Sequence, residues 1–323
     1  MKLAPPIAKQ GVRVARKGLQ GARGYANEVR NTRIQITYAR ALRTLEFPDK
    51  RGSQKLAVII HLYYVDNWPL FKQKLTNLSG LSFDLFLTIP KENEAFMSDV
   101  KRDFPKARYI IVPNRGRDVL PFIMIAKALL AEGYEYVLKF HSKKSTHWGG
   151  GQSWLEATMN QLLPSDPKKV VGIIKKLENP STGIIGPSDY YYPLTINFEA
   201  NGVHMTKVLQ RLYGKNAAWG CLQKNRQEYG FFGGTMFWAR LDALQPLLER
   251  PGVARFEKEN GQIDGTYAHA LERLFCIVPE LDGKNMYELK PSGVRARAYK
   301  SDNIPEWSEH HGKESRDAMR SDD

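Results

Sequence analysis

From residue 56 the chain alternates apolar runs of strand length with segments of helical spacing, and that alternation leaves few folds open. "LAVIIHLYYV" (56–65) is a continuous apolar run, as a strand covered on both faces requires. "WPLFKQKLTNL" follows with helical spacing. "FDLFLTIP", "NEAFMSDVKRDF", "ARYIIVPN", "VLPFIMIAKALLAEG" and "YEYVLKF" carry the same series on to residue 140. Such a series predicts βαβ units and a parallel sheet. "GIIGPS" (183–188) and "FFGGTMFWAR" (231–240) read as further strands, with helices over 152–163, 167–177, 202–213, 241–249 and 265–275. The expected class is α/β, with a mostly parallel central sheet flanked by helices.

The net charge of +14 is unevenly placed. Residues 1–55 hold 13 Lys or Arg against Glu28, Glu46 and Asp49, so +10 of it lies there. Three regions follow: a basic N-terminal arm (1–54), an α/β domain (55–300) and a polar tail (301–323). The arm reads as helical in pieces, interrupted by Gly11, Gly18, Gly21 and Gly24. It suits an anchor on anionic lipid, a nucleic-acid arm, or a solvated or packed helix. There is no apolar run of about 18 residues and no apolar stretch of signal-peptide type, so neither a transmembrane helix nor a secretory leader is expected. Cys221 and Cys276 are the two cysteines, far apart. A disulfide framework or Cys-based zinc site is unsupported, and a reducing cytosol is the easier reading.

Ligands of open α/β sheets bind beyond the carboxyl ends of the strands. Four polar or glycine-containing segments sit there: 61–67, 114–118, 139–145 and 186–189. In "NRGRD", Gly116 permits close approach or an unusual backbone angle. Arg115 and Arg117 can fork onto phosphate or carboxylate, and Asp118 can cap the next helix. In "KFHSKKS", an extended chain puts Lys139, His141 and Lys143 on one side and Ser142 and Lys144 on the other. That group suits a polyanion such as a diphosphate; a solvated basic loop is the plain alternative.

Two later blocks carry further candidates. "FFGGTMFWAR" sets Gly233, Gly234 and Thr235 ahead of an apolar stretch, where glycine allows close backbone approach or a bulge. "GQIDGTYAHALERLF" puts Asp264 before a helix on which His269, Glu272 and Arg273 share a face. Asp264 suits either a general base or a helix N-cap. No P-loop, dinucleotide G-x-G-x-x-G, G-x-S-x-G elbow or H-E-x-x-H is present, and no D-x-D occurs anywhere in the chain.

Together "NRGRDVLPF" (114–122), "VLKFHSKKS" (137–145), "GIIGPSD" (183–189), "FFGGTMFWAR" (231–240) and "GQIDGTYAHALERLF" (261–275) resemble the rhamnan synthesis protein F family of bacterial cell-surface polysaccharide biosynthesis. The blocks span most of 56–280, with the arm outside the resemblance. It implies a GT-A-like glycosyltransferase, an inverting one moving L-rhamnose from a donor such as dTDP-rhamnose to a lipid-linked glycan or lipopolysaccharide acceptor. It implies Asp264 as base. It places His61, Asn114, Arg115, Gly116, Arg117, Asp118, Lys139, His141, Ser142, Lys143 and Lys144 on the donor side. Gly233, Gly234, Thr235, His269, Glu272 and Arg273 fall on the acceptor side. Where GT-A enzymes carry a metal-binding D-x-D, this chain has "HSKKS". No metal or other cofactor is therefore expected, with lysines neutralising the leaving diphosphate. The location implied is cytoplasmic, peripheral at the inner membrane face, with residues 1–50 on anionic lipid and no nucleic acid bound. A non-catalytic glycan- or phosphate-binding module that recruits a transferase is the alternative, and a nucleic-acid-binding protein a more distant one.

Overall fold

The computed structural model describes residues 33–47, 55–143, 151–250 and 252–296. Its main sheet has eight strands: β1 (Leu56–His61), β2 (Asp84–Pro90), β3 (Arg108–Val112), β4 (Tyr136–His141), β5 (Thr182–Pro187), β8 (Phe237–Arg240), β9 (Asn285–Lys290) and β10 (Gly293–Ala296). They lie in the order β10-β9-β5-β8-β4-β1-β2-β3. β3, β2, β1 and β4 are mutually parallel, as are β5 and β9. β8 runs antiparallel between β4 and β5, and β10 is an antiparallel edge. β6 (Tyr191–Pro193) and β7 (Gly230–Phe232) form a separate antiparallel pair. The α/β class with a mostly parallel sheet is therefore what the chain adopts.

Strand alternation sends side chains to two cores. On β1, Ala57 and Ile59 face one layer while Val58 and Ile60 face the other. The first layer holds a helix over 33–43 (α1), α4 (Val119–Ala131), α7 (Phe198–Trp219), α8 (Leu241–Glu249) and α9 (Tyr267–Leu281). The second holds α2 (Trp68–Leu75), α3 (Met97–Asp103), α5 (Gly151–Leu162) and α6 (Pro167–Glu178). α4 is apolar nearly all round because it is sandwiched between the sheet and α8 and α9. α6 starts where Asp166 accepts the Lys168 N–H at 2.9 Å and Pro167 takes the first turn.

Three expectations are corrected. The stretch 231–240 is not one strand. Gly234 (φ +82°) and Thr235 (φ +52°) enter the left-handed region and break it into β7 and β8. The helix expected over 202–213 spans Phe198–Trp219 with a kink at Gly214, and the one expected to end at 275 runs through Pro279 to Leu281. β6, β9 and β10 are additional; in "NMYELK" the charged Glu288 and Lys290 mask a strand that is mostly buried.

The arm is only partly described. Ile34, Tyr38 and Leu45 are buried in the first core, so residues 33–47 pack on the domain. The rest of the arm, residue 144 and the tail lie outside the described residues. No helix among the described residues is long and apolar enough to cross a membrane.

Tyr38 is fully buried and its hydroxyl has no partner among the described residues, so burial raises its pKa far above the usual phenol. Tyr38→Ala should cost about 3–5 kcal/mol, as large-to-small aromatic truncations do. Tyr38→Phe should be neutral or stabilising, because it removes an unsatisfied hydroxyl. Urea unfolding of the two variants checks both, and a large loss in Tyr38→Phe would mean the hydroxyl is bonded.

Candidate functional site

The carboxyl ends of β1 and β4 meet the start of β8. Because β8 is antiparallel, its first residues arrive beside the last residues of β4, with Phe237 opposite Lys139. The Gly233–Gly234–Thr235 turn is thereby brought to the edge where His141 ends its strand. α4 and α9 close the same edge from the first-core side, bringing in Asp118 and the 264–273 segment.

At the base lies a buried ionic knot. Lys139 is 1% exposed, and its ammonium donates to Asp118 Oδ2, to the Thr235 carbonyl (2.7 Å) and to Thr235 Oγ1 (2.9 Å). Thr235 Oγ1 in turn donates to Asp118 Oδ2 at 2.6 Å. The rings of Phe122 and Phe237 lie 5.3 and 5.9 Å from Nζ. Burial lowers the Lys139 pKa below the usual lysine value. Burial works to raise Asp118, but the adjacent Lys139 charge outweighs it and holds the carboxyl well below the usual range. Lys139, expected on the diphosphate, thus has its donors filled beneath the site. Asp118 leaves its capping role unfilled, making no side-chain cap bond to α4.

A layer of neutral histidines and hydroxyls sits beside the knot. His141 Nε2–H donates to the Gly234 carbonyl, and its Nδ1 accepts the Lys143 N–H at 3.1 Å, which fixes the neutral tautomer. His61 Nδ1 pairs with Thr88 Oγ1 at 2.8 Å. Burial pushes both imidazoles down to about 4. Ser142 is fully buried: its hydroxyl accepts the Tyr64 N–H (2.8 Å) and its carbonyl the Asn67 amide (3.0 Å). His61, His141 and Ser142, expected on the donor, are therefore interior groups that shape the site.

The two arginines of "NRGRD" are anchored to another loop. Arg115 Nε and Nη2 both donate to the Phe256 carbonyl. Arg117 Nη2 donates to the Gln262 carbonyl, and its Nε lies 3.5 Å from Glu259. These forks were expected on phosphate; the structure turns them to stapling the 256–262 loop against α4. Gly116 is obligatory there: at φ +69° a side chain would strike Phe256 and Leu120. Arg117 (φ +55°) and Thr235 (φ +52°) are left-handed without being glycine. Such strain, about 1–3 kcal/mol per residue, clusters at functional sites.

Around the opening, Asn114 and Lys143 are exposed, and Gly234, Asp264 and Glu272 are half-buried. Although Lys143 as a whole is exposed, its ammonium end is crowded, and that desolvation together with Arg117 lowers its pKa. Asp264 does not cap α9; Thr266 does, its hydroxyl accepting the His269 N–H. Asp264 instead accepts from Asn201 (2.9 Å), the Gly265 N–H (2.8 Å) and the buried Arg273 (3.2 Å). Burial favours its neutral form, but Arg273 outweighs that and lowers its pKa. His269 Nδ1 accepts from Thr266, leaving the ring proton on Nε2; burial lowers this imidazole to about 3. Glu272 Oε1 accepts the Gly234 N–H at 2.7 Å, and burial raises its pKa.

The structure thus brings together the 114–118, 139–143, 233–235 and 264–273 blocks. Gly233 is buried under Tyr192. Asn201 and Glu259 support the site yet carried no motif, because the partner of each lies far along the chain, and Asn67, at the end of the 61–67 segment, proves to bind the Ser142 carbonyl. Trp154 rests on Gly234 and stacks on His141, with ring centroids 6.2 Å apart. Among the described residues no group of three or more His, Cys, Asp and Glu is placed to hold a metal ion.

The fold and this edge define an α/β protein in which strained backbone and charged side chains gather at the strand ends. The rhamnan synthesis protein F profile matches residues 26–283, and the chain belongs to that family. The match starts inside the arm, which the sequence blocks alone leave out. A protein of Xanthomonas campestris pv. campestris strain B100, named uncharacterized protein WxcX, is 40% identical over 162 residues, or 50% of this chain. Its counterpart in strain ATCC 33913 matches equally. The chain covers 22% of the length of each.

Two outcomes test the interior. Removing one member of the knot leaves a buried unpaired charge, so Lys139→Met should cost about 3–5 kcal/mol, and adding Asp118→Leu should recover most of it. Equal losses in single and double variants by chemical denaturation would deny the pairing. For His61 and His141 the folded pKa lies below the unfolded value. Stability is then full above about pH 6.5 and falls as pH drops toward 4, by roughly 3 kcal/mol per histidine. Unfolding curves across that window check the slope, which His61→Gln should lessen.

Proposed function

We propose that the chain is a glycosyltransferase of the GT-A type that moves a sugar, L-rhamnose by family likeness, from a nucleotide-sugar to a growing cell-surface glycan. The observation that carries it is the meeting of the antiparallel β8 turn with the β4 carboxyl end, where cations and carboxylates come together. Strand order β3-β2-β1-β4-β8-β5-β9 with β8 reversed supports a nucleotide-sugar fold. Membership of a family named for rhamnan synthesis supports the sugar.

In this reading the donor lies across the ends of β1 and β4. Lys143, with Lys144 following it in sequence and Arg117 behind it, stabilises the departing diphosphate. Asn114 and the opening beside Tyr63 face the same edge. Charge neutralisation by cationic side chains makes the transferase metal-independent. A carboxylate at the α9 end takes the acceptor proton, and Asp264 is the one the family likeness indicates. The protein works at the cytoplasmic face of the membrane, held to anionic lipid by the arm residues that precede Ile34. Each basic residue near such a surface adds about 1 kcal/mol.

A donor screen tests the function. dTDP-rhamnose should raise the melting temperature and be consumed with an acceptor glycan, and the rate should survive EDTA. Loss of activity in chelator, restored by Mg²⁺ or Mn²⁺, would overturn metal independence. Deleting residues 1–32 should release the protein from phosphatidylglycerol vesicles in a sedimentation assay while leaving the melting temperature unchanged. Undiminished vesicle binding would assign the arm another role.

A further inference from the structure

Asp264 and Glu272 both lie at the α9 end of this edge, and their surroundings differ sharply. Both oxygens of Asp264 are engaged: Oδ1 by Asn201 and the Gly265 N–H, Oδ2 by Arg273. A carboxylate so bonded is held in its charged form and is a weak proton acceptor. Glu272 has Oε1 on the Gly234 N–H at 2.7 Å, the one hydrogen bond its carboxylate makes among the described residues. One oxygen is thus anchored to the strained turn. Burial raises its basicity, with Arg273, Asp118, Lys143 and Lys139 as the charged groups around it.

Gly234 also meets an aromatic surface. A side chain at Gly234 would collide with the Trp154 indole, so the ring lies directly on this glycine. Trp154 is half-buried, stacks on His141 and meets Tyr190 edge-on at 6.1 Å. Its indole N–H makes no hydrogen bond among the described residues. A rigid aromatic body with a free polar tip suits the apolar C–H face of a sugar ring. Gly234 is therefore flanked by an aromatic platform and by a carboxylate it holds in place.

We propose that Trp154 and Glu272 form the acceptor-saccharide subsite, with Glu272, rather than Asp264, taking the proton of the attacking hydroxyl. The proposal rests on the glycosyltransferase reading and deepens it. The acceptor oxygen forms a bond to the donor's anomeric carbon as the bond from that carbon to the diphosphate oxygen breaks. The leaving diphosphate keeps the electron pair, and the hydroxyl proton passes to Glu272 and then to solvent. Asp264 is a positioning residue that orients Arg273 and Asn201 beneath the same helix end.

The test uses the full chain with dTDP-rhamnose as donor and p-nitrophenyl α-L-rhamnoside as acceptor probe. Glu272→Gln keeps an oxygen for the Gly234 N–H, so the fold should persist. It should lower kcat at least 100-fold, keep donor Kd within twofold by calorimetry, and abolish the acid limb of the kcat/KM–pH profile. Trp154→Phe keeps an aromatic ring on Gly234 and should raise the acceptor KM several-fold with donor Kd unchanged. If Glu272→Gln retains kcat within fivefold while Asp264→Asn abolishes it at unchanged stability, the base assignment is overturned. An unchanged acceptor KM in Trp154→Phe overturns the platform. A wild-type chain that neither binds nor consumes any nucleotide-sugar sinks the transferase reading itself, an outcome distinct from either.

Discussion

A lysine without solvent contact holds the working edge of this protein together. Lys139 ends up inside because β4 is covered on both faces, and a charge buried there demands full compensation. Asp118 supplies the countercharge from the head of α4, and Thr235 supplies two oxygens from the turn before β8. Three elements distant in sequence are thereby tied at one point. The left-handed backbone of Thr235 is tolerated because its carbonyl and hydroxyl are both aimed at the ammonium.

What stands above the knot inherits its position. Gly234 follows from where Thr235 is held. Its carbonyl receives His141 and its N–H is taken by Glu272, so strand β4 and helix α9 are registered against each other through one peptide turn. His141 and His269 are both kept neutral, each by a backbone or hydroxyl donor on one ring nitrogen. The ionisable groups left around this edge are those of Lys143, Arg117, Glu259, Asp264 and Glu272. Among the carboxylates, Asp264 is bound by Arg273 while Glu272 has its one hydrogen bond at Oε1, so the two sit in different environments.

The blocks that make this site were visible before folding, while their tasks were not. "NRGRD" and "KFHSKKS" stood out as clusters of charge after apolar runs, and both do reach the strand ends. Spacing told that Lys139 and His141 share a side, but not that this side faces α4 rather than solvent. The arginines looked like phosphate forks because nothing local discloses that residues 256–262 return to receive them. Asn201 and Trp154 gave no signal; an isolated amide on a helix and a tryptophan before an apolar stretch resemble ordinary packing.

Local sequence by itself determined the βαβ succession, the two-sided burial of β1, β2 and β4, the glycine at 116, and the family to which the blocks belong. These depend on periodicity and on residue types that a few neighbouring positions specify. Tertiary structure alone decided the reversal of β8, the packing of residues 33–47 on the core, and the division between Asp264 and Glu272. Each of those depends on which partner occupies the space opposite. A carboxylate's chemistry is set by the groups within hydrogen-bond reach, and in this chain those groups come from as far away as 117 residues in sequence.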